Sequence, residues 1–498
     1  MLTDNNSEIV RYLIVWLIAA AIVFYSQLRK GSFGPGLSLA YLLNFWLIHW
    51  VASALYVMPD YSYFDPDDVS AGLKQSVYAV VAFAVSNLIF RRVLKRKSNN
   101  HDRSANSDFS TVTKAPDAST QSCNSKRAFI HRPAGNQSHS GPEKPSVTNI
   151  SDSKLTNLYI LTGIICYFLS MTGLGNLPTV SAMITGSSNL AVVGLMLKSW
   201  RAWERGDRKY FKLWVALAAA YPLLTIITQG FIGFGIFNTI LVITFVTGFY
   251  RPRWKLVVFG SVAMYLGLSI FVTYMRDRVE IRSVVWGGQS YGSRLDRLTD
   301  TFSNYELFDI NDDAHLERID SRLNQNSLVG ASVHYLESGR VGFARGETLW
   351  QALIALVPRA IWPGKPVTAG SGDLVSRYTG YYFADGTSIG VGQVMEFYIN
   401  FGQAGVIIGF LVIGFILALI DIRAGECIAK NDWINFACWY LPGAAVMQVG
   451  GSLVDVTASA GAALAVSMLA KYFIRRGQRA SGRKQDSLSG NLRSQPNP

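Results

Sequence analysis

The strongest constraint in this sequence is a repeating pattern of apolar stretches and the charges that separate them. Stretches of about 20 residues with few or no internal charges recur along the chain, each long enough to cross ~30 Å of hydrocarbon as a helix. They fall at 9–26, 37–57, 71–90, 155–173, 180–198, 211–229, 232–250, 255–275, 403–421, 434–449 and 456–473. The connections alternate in charge. One set carries Arg29 and Lys30; Arg91, Arg92, Lys95, Arg96 and Lys97; Arg201, Arg205, Arg208 and Lys209; Arg251 and Arg253; and the tail from Arg475. The other short connections, 58–70, 174–179, 230–231 and 450–455, hold no Lys or Arg, and the first is acidic through Asp60, Asp65, Asp67 and Asp68. Basic connections stay in the cytoplasm, so the pattern predicts an N-terminus outside and a C-terminus inside. That requires an odd number of spans, and eleven satisfies it. The expected fold is therefore an all-α polytopic integral membrane protein.

Composition supports this reading. Half of the 498 residues are apolar and only 16% are charged, against about 25% in soluble domains. The net charge of +13 sits at helix ends, where membrane topology requires it, so no nucleic-acid partner is expected. The polar, acidic start Met1 to Glu8 lacks the basic segment of a cleavable signal, so 9–26 is expected to be a retained helix. Of the four cysteines, Cys123, Cys166, Cys427 and Cys438, none lies in the large outer connection, and no disulfide framework or cysteine metal site is expected there. The organisation that follows is helices 1–3 over 1–90, a cytoplasmic loop over 91–154, helices 4–8 over 155–275, an extracytoplasmic domain over 276–402, helices 9–11 over 403–473 and a cytoplasmic tail over 474–498. The 91–154 loop and the tail are rich in Ser, Asn and Lys or Arg without hydrophobic period, and both are expected to be disordered.

The outer connection has the apolar density of a folding segment. Leu316, Ile319, Leu323, Leu328 and Val333 recur at helical intervals across 312–338. The run 347–361 is apolar, too short to span and interrupted by Pro358; Trp350 and Trp362 suit a helix at the membrane surface. Between 276 and 397 there are eleven arginines and a single lysine, Lys365. Arg in place of Lys favours planar, bidentate recognition of phosphate or carboxylate. Pairing with the fifteen Asp and Glu of the same stretch is the competing reading. Arg276 and Arg278 stand out because they leave the eighth span at headgroup height.

Two further constellations bear on chemistry. In Val357-Pro358-Arg359-Ala360-Ile361-Trp362-Pro363-Gly364-Lys365-Pro366, three prolines fix the backbone around Arg359, Trp362 and Lys365, either as a cradle for an anionic, sugar-bearing ligand or as a rigid turn. Gln393, Glu396, Asn400 and Gln403 share one helical face at spacings of three, four and three. A carboxylate at the hydrocarbon boundary faces a cavity or a partner, so Glu396 is either a general base or part of a polar helix contact. Gly405 and Gly409 form a small-xxx-small pair suited to close helix packing. His334 and His315 are the outer histidines, as bases or as structural residues. Asp312-Asp313 is a weak cation candidate, and Asp455 is a cap or pocket residue at the head of the last span.

The run at 357–366, followed by Gly390 to Gly405 with Glu396-Phe397-Tyr398-Ile399-Asn400-Phe401-Gly402, resembles the bacterial O-antigen polymerase (Wzy-type) family, the oligosaccharide repeat unit polymerases. The specific match covers about sixty residues. The resemblance implies a glycosyltransferase of GT-C-like architecture, independent of metal and cofactor, in the bacterial inner membrane. It would pass a growing glycan from undecaprenyl diphosphate to a new lipid-linked repeat unit. Arg276, Arg278 and Arg359 with Lys365 would hold the diphosphate. Glu396 or His334 would take the acceptor proton. Trp362, Arg377, Tyr378, Tyr381, Tyr382, Gln393 and Asn400 would contact the saccharide. Membrane lipid, a chain-length regulator and a flippase are the implied partners. An O-antigen ligase and a polysaccharide flippase or transporter are the alternatives; no internal repeat of the transporter kind is visible. The topology is directly testable: reporter fusions within 276–402 are expected to read as extracytoplasmic, and a cytosolic readout there would refute the assignment.

Overall fold

The computed structural model describes residues 4–28, 34–59, 61–110, 152–172, 184, 186–250, 255–357, 361–366, 370–383 and 389–493. At 4–5, 95–110, 152, 234, 255–257, 259 and 478–493 only the backbone is described. Among the described residues the regular structure is helical, with no strand. In chain order the helices are α1 (Asp4–Leu28), α2 (Leu37–His49), α3 (Pro66–Ser110), α4 (Asp152–Leu169), α5 (Leu190–Glu204), α6 (Arg208–Ala219), α7 (Tyr221–Gln229), α8 (Gly233–Tyr250) and α9 (Lys255–Arg276). The outer connection then forms α10 (Arg278–Trp286), α11 (Tyr291–Ser303), α12 (Asp313–Leu323), α13 (Gln325–Glu337), α14 (Glu347–Ala355) and α15 (Ser371–Thr379). The chain closes with α16 (Gln393–Ala429), α17 (Trp433–Ala445) and α18 (Leu453–Arg493).

Among the described residues, five segments are long and apolar enough to cross a membrane: 6–28, 66–94, 208–229, 393–429 and 453–477. Such helices are consistent with a membrane protein. The shorter apolar helices Leu37–His49, Ser153–Leu169 and Gly235–Tyr250 lie within the expected second, fourth and seventh spans. Several expected spans are interrupted. The 37–57 stretch ends its α-helix at His49 and tightens into a 3-10 turn over Ser53–Val57. The 434–449 stretch ends at Ala445, after Pro442 inside α17, whose ring removes a backbone donor. The 312–338 stretch is two helices broken at Asn324, whose amide donates to Asp320 at 2.7 Å; an uninterrupted apolar period does not register a one-residue break. Of the expected disordered segments, residues 91–110 continue α3 and the tail continues α18 to Arg493, since propagating a formed helix costs little compared with nucleating one. The rest of the 91–154 loop lies outside the described residues.

The core is organised around α3, which packs on α1, α13 and α16. Its crossing with α13 is set by two glycines. A Cβ at Gly330 would overlap the Asp68 carbonyl, and one at Gly72 would overlap the Asn326 carbonyl. Backbones approach this closely only where side chains are absent. One turn below Gly330, the Asn326 amide donates to the His49 carbonyl at 2.7 Å and to Ser53 Oγ at 2.8 Å, tying α13 to α2.

A buried charge pair joins α2, α3 and α16. Arg91 donates to Asp421, and both side chains are out of solvent. The carboxylate also accepts from the backbone N–H of Leu37 at 2.9 Å and of Ser38 at 3.1 Å, and from Ser38 Oγ at 2.7 Å. It thereby supplies the acceptors that the first turn of α2 lacks. Asn87 completes the network, accepting from Arg91 Nε at 2.9 Å and donating to the Gly414 carbonyl at 3.2 Å.

Helix α16 is kinked at Phe401 (φ −142°, ψ 24°) and Gly402 (φ 60°, ψ −149°). The latter is a conformation essentially confined to glycine. Gly405 and Gly409, expected to serve packing between helices, instead receive the Phe397 carbonyl and ring from the segment before the kink. Overpacking a tight core site costs about 1–3 kcal/mol. Gly330→Ala is therefore expected to lower thermal stability in detergent by that amount or more. Gly342→Ala, with open space around it, is expected to leave stability unchanged.

Candidate functional site

The α3–α13 crossing carries a polar pair at its solvent end. Asn326, Gly330 and His334 follow at intervals of four on α13, as do Asp68 and Gly72 on α3, so the face that bears the close contact also brings His334 onto Asp68. His334 Nδ1 lies 2.7 Å from Asp68 Oδ1, with the imidazole 46% and the carboxylate 12% exposed. The other carboxylate oxygen accepts from the Tyr381 hydroxyl at 3.4 Å. The tautomer in which Nδ1–H donates to Asp68 leaves Nε2 as the acceptor, and among the described residues Nε2 has no partner. This is the orientation a proton-accepting histidine requires. The loop bearing Tyr381 is seated by Gly380 (φ 74°), where a Cβ would come within 2.7 Å of the Tyr335 ring. Two cations stack on tyrosines of these elements: Arg340 on Tyr335 at 5.7 Å, and Arg377 on Tyr378 at 5.4 Å, the latter also paired with Glu347 at 3.9 Å. Tyr381 and Tyr382 are exposed, whereas Tyr378 is buried.

The arginines of the outer segment divide into two groups. Arg276 is occupied: it donates to Asp277 Oδ1 at 2.8 Å, to Glu306 Oε1 at 2.6 Å and to the carbonyls of Asn304 at 2.8 Å and Thr301 at 3.2 Å. Glu306 also takes Arg318 at 3.1 Å and His315 at 3.2 Å. Arg297 pairs with Asp277, Glu280 and Asp300, and Arg294 donates to backbone carbonyls. Arg278, Arg282 and Arg322 differ. Arg278 is part-buried near Tyr274, whose hydroxyl donates to the Gly230 carbonyl at 2.7 Å, with Arg322 and Arg282 as its charged neighbours. Burial, and then those two cations, lower its affinity for its own proton. Arg282 stacks over Phe231 at 4.2 Å and Trp286 at 5.2 Å. Among the described residues none of the three forms an ion pair. Three guanidinium groups gathered without a carboxylate make a site complementary to a multiply charged anion. The 61–68 segment links this cluster to the His334 pair: Tyr61 donates to Asp320 on α12 at 3.1 Å, Tyr63 lies in the field of Arg322, and Asp68 follows at the start of α3.

The remaining sequence candidates fall elsewhere. Glu396 is fully buried, and its Oε2 accepts from the Leu453 N–H at 2.6 Å, serving the first turn of α18. Gln393 accepts from the Tyr41 hydroxyl at 2.6 Å. Asn400 donates to Thr348 at 2.6 Å and accepts from the Gly346 N–H at 2.9 Å. The expected stripe is thus an interhelical contact, and the kink turns Gln403 out of it into an exposed position. Asp455 is not the cap of α18: Ser452 is, its Oγ accepting from the Asp455 N–H at 3.1 Å and donating to the Asp455 carboxylate at 2.7 Å. Lys365 Nζ donates to the Val357 carbonyl at 3.1 Å, closing the end of α14. Trp362 is exposed. Arg359 lies outside the described residues. Helix α14 docks on α18 through Thr457 Oγ1, which donates to the Ala352 carbonyl at 2.6 Å, and it leaves Trp350 and Leu353 exposed.

Among the described residues the fold is thus all-helical, with several membrane-crossing candidates and an arginine-bearing group of short helices between α9 and α16. The chain belongs to a family described as a domain of unknown function (DUF8712), whose model matches residues 135–429. That span holds the arginine cluster, His334 and Tyr381, while Asp68 lies before it. Among curated proteins and among solved structures, nothing matches the chain.

The Arg276 network makes a pH prediction. Arg276 first, and Arg297 with it, hold Asp277 below the usual carboxylate range. At Glu306 burial pushes the carboxyl up, but Arg276, His315 and Arg318 outweigh it and the net shift is downward. Groups lowered on folding contribute stability that is fully present above their unfolded values of about 3.9 and 4.3 and is lost as pH falls through the folded values. Thermal unfolding in detergent is expected to show this acid-side loss, and Glu306→Gln to be less stable at neutral pH with a shallower acid limb. An unchanged acid limb in that variant would show that the network carries no such coupling.

Proposed function

We propose that this protein is a lipid-linked glycan polymerase of the O-antigen polymerase kind, working at the outer face of a bacterial cytoplasmic membrane, with eleven spans and a GT-C-like plan. The observation that carries the reading is the Arg278–Arg282–Arg322 cluster, cationic and without a carboxylate partner among the described residues. The sequence resemblance over the 357–405 region points the same way.

In this reading the three guanidinium groups hold the diphosphate of the donor, an undecaprenyl-diphosphate-linked glycan. His334 Nε2 takes the proton of an acceptor hydroxyl on the incoming repeat unit, while Asp68 holds the ring in the required tautomer and steadies the imidazolium. The acceptor oxygen bonds to the anomeric carbon as the carbon–oxygen bond to the diphosphate breaks, and the electron pair leaves on a phosphate oxygen. Charge growing on that oxygen is met by the arginines. Tyr381 and Tyr382 offer exposed aromatic faces to sugar rings. Arg276 is a positioning residue, keeping the α9–α11 corner in place so that Arg278 faces the site.

A deletion strain is expected to accumulate single-repeat glycans on the carrier lipid. Loss of a charge-stabilising group costs on the order of 10²–10³ in rate, and loss of a general base about 10²–10⁴. Arg278→Ala, Arg322→Ala and His334→Ala, expressed at normal levels, are each expected to abolish long polymer. Elongation of lipid-linked repeats by purified protein provides the direct assay. Full-length polymer from the His334→Ala and Arg278→Ala variants would refute the assignment of the site, and polymer stranded on the carrier lipid in the deletion strain would indicate a ligase instead.

A further inference from the structure

A second cationic site lies at the opposite, basic end of the bundle, and it is independent of the reading above. A cavity of about 240 Å³ opens between the start of α4, the end of α5 and the start of α6, lined by Lys198, Arg201, Arg205, Tyr210 and Trp214 with Ser153 and Asp207. At the volume of liquid water this is room for about eight waters, enough for a phosphate group with the atoms that carry it. Lys198 lies over the Trp214 ring at 5.4 Å, and Arg201 over Trp433 at 5.6 Å. The aromatic rings thus hold the cations at the cavity wall. Asp207, the cavity's carboxylate, accepts from the Tyr210 N–H at 3.2 Å as the cap of α6. Among the described residues neither Lys198 nor Arg205 forms an ion pair. Lys198 and Arg205, set against the single capping carboxylate of Asp207, leave the lining net positive, which suits a phosphate.

The surroundings identify the source of that phosphate. Tyr210, Leu213 and Leu217 are all exposed and lie three and four residues apart, so they form one apolar stripe leading away from the cavity along α6. This stripe belongs to the 208–229 segment, one of those long and apolar enough to cross a membrane. A basic pocket between membrane helices with an apolar track beside it has the form of a headgroup site. We infer that this cavity binds the phosphate of an anionic lipid headgroup, with the acyl chains lying along Leu213 and Leu217.

The test uses the full chain in detergent, titrated with phosphatidylglycerol or phosphatidylcholine and read by native mass spectrometry. The expected result is retention of phosphatidylglycerol by the wild type, at least ten-fold weaker in Lys198→Gln/Arg205→Gln. Arg208→Gln/Lys209→Gln, which removes the same charge from the same connection outside the cavity, should bind like the wild type. Arg205→Gln alone alters an exposed side chain and covers the case in which the double variant does not fold. Equal binding by all variants, or an equal loss in both double variants, would overturn the site, since general attraction to a basic surface would then account for it. Stabilisation by inorganic phosphate or glycerol 3-phosphate, with no retention of phosphatidylglycerol, would overturn the lipid assignment in favour of a soluble phosphate.

Discussion

The near-contact of two backbones at Gly72 and Gly330 is the constraint from which the polar face of α3 and α13 is built. With no side chain at either position, α3 and α13 close to a separation at which carbonyl oxygens occupy the space a methyl group would take. Everything one turn above and below inherits that spacing. Below, Asn326 is pulled into hydrogen bonds with α2 and the turn that follows it. Above, Asp68 and His334 are held within 2.7 Å of each other. The polar pair is therefore a product of backbone geometry, which makes it rigid without enlarging its contacts.

The arginines show how one residue type serves two roles in one segment. Those at the α9–α11 corner are neutralised by Asp277, Glu280, Asp300 and Glu306 and act as braces. Those at Arg278, Arg282 and Arg322 form no ion pair among the described residues, and Arg282 is held over the rings of Phe231 and Trp286. Gathering like charges is unfavourable in itself, and the braced corner supplies the stiffness that keeps them together.

Much of the helical plan is legible from apolar periodicity, including the helical character of 312–338, though not its break at Asn324, and the short α14. The burial of Gln393, Glu396 and Asn400 also followed from their shared face. What the sequence did not disclose depends on distant residues or on single backbone angles. Asp68 and His334 are 266 positions apart, and nothing in either neighbourhood signals the other. The kink at Gly402 breaks a pattern that continues smoothly through it, so Gln403 was placed on a face it does not share. The arginine count was visible, but which ones meet a carboxylate is settled only by packing. Arg276, the most prominent by position, turned out to be the most fully bonded.

The Arg91–Asp421 pair has a consequence for biogenesis. The two residues are separated by 330 positions, so the ribosome delivers the cation long before its counter-ion exists. A lone guanidinium is costly in hydrocarbon, and until α16 arrives the end of α3 must rest where water or lipid headgroups can solvate it. The start of α2 waits for the same carboxylate. Final seating of these early helices is thus a late event, completed only when Asp421 arrives.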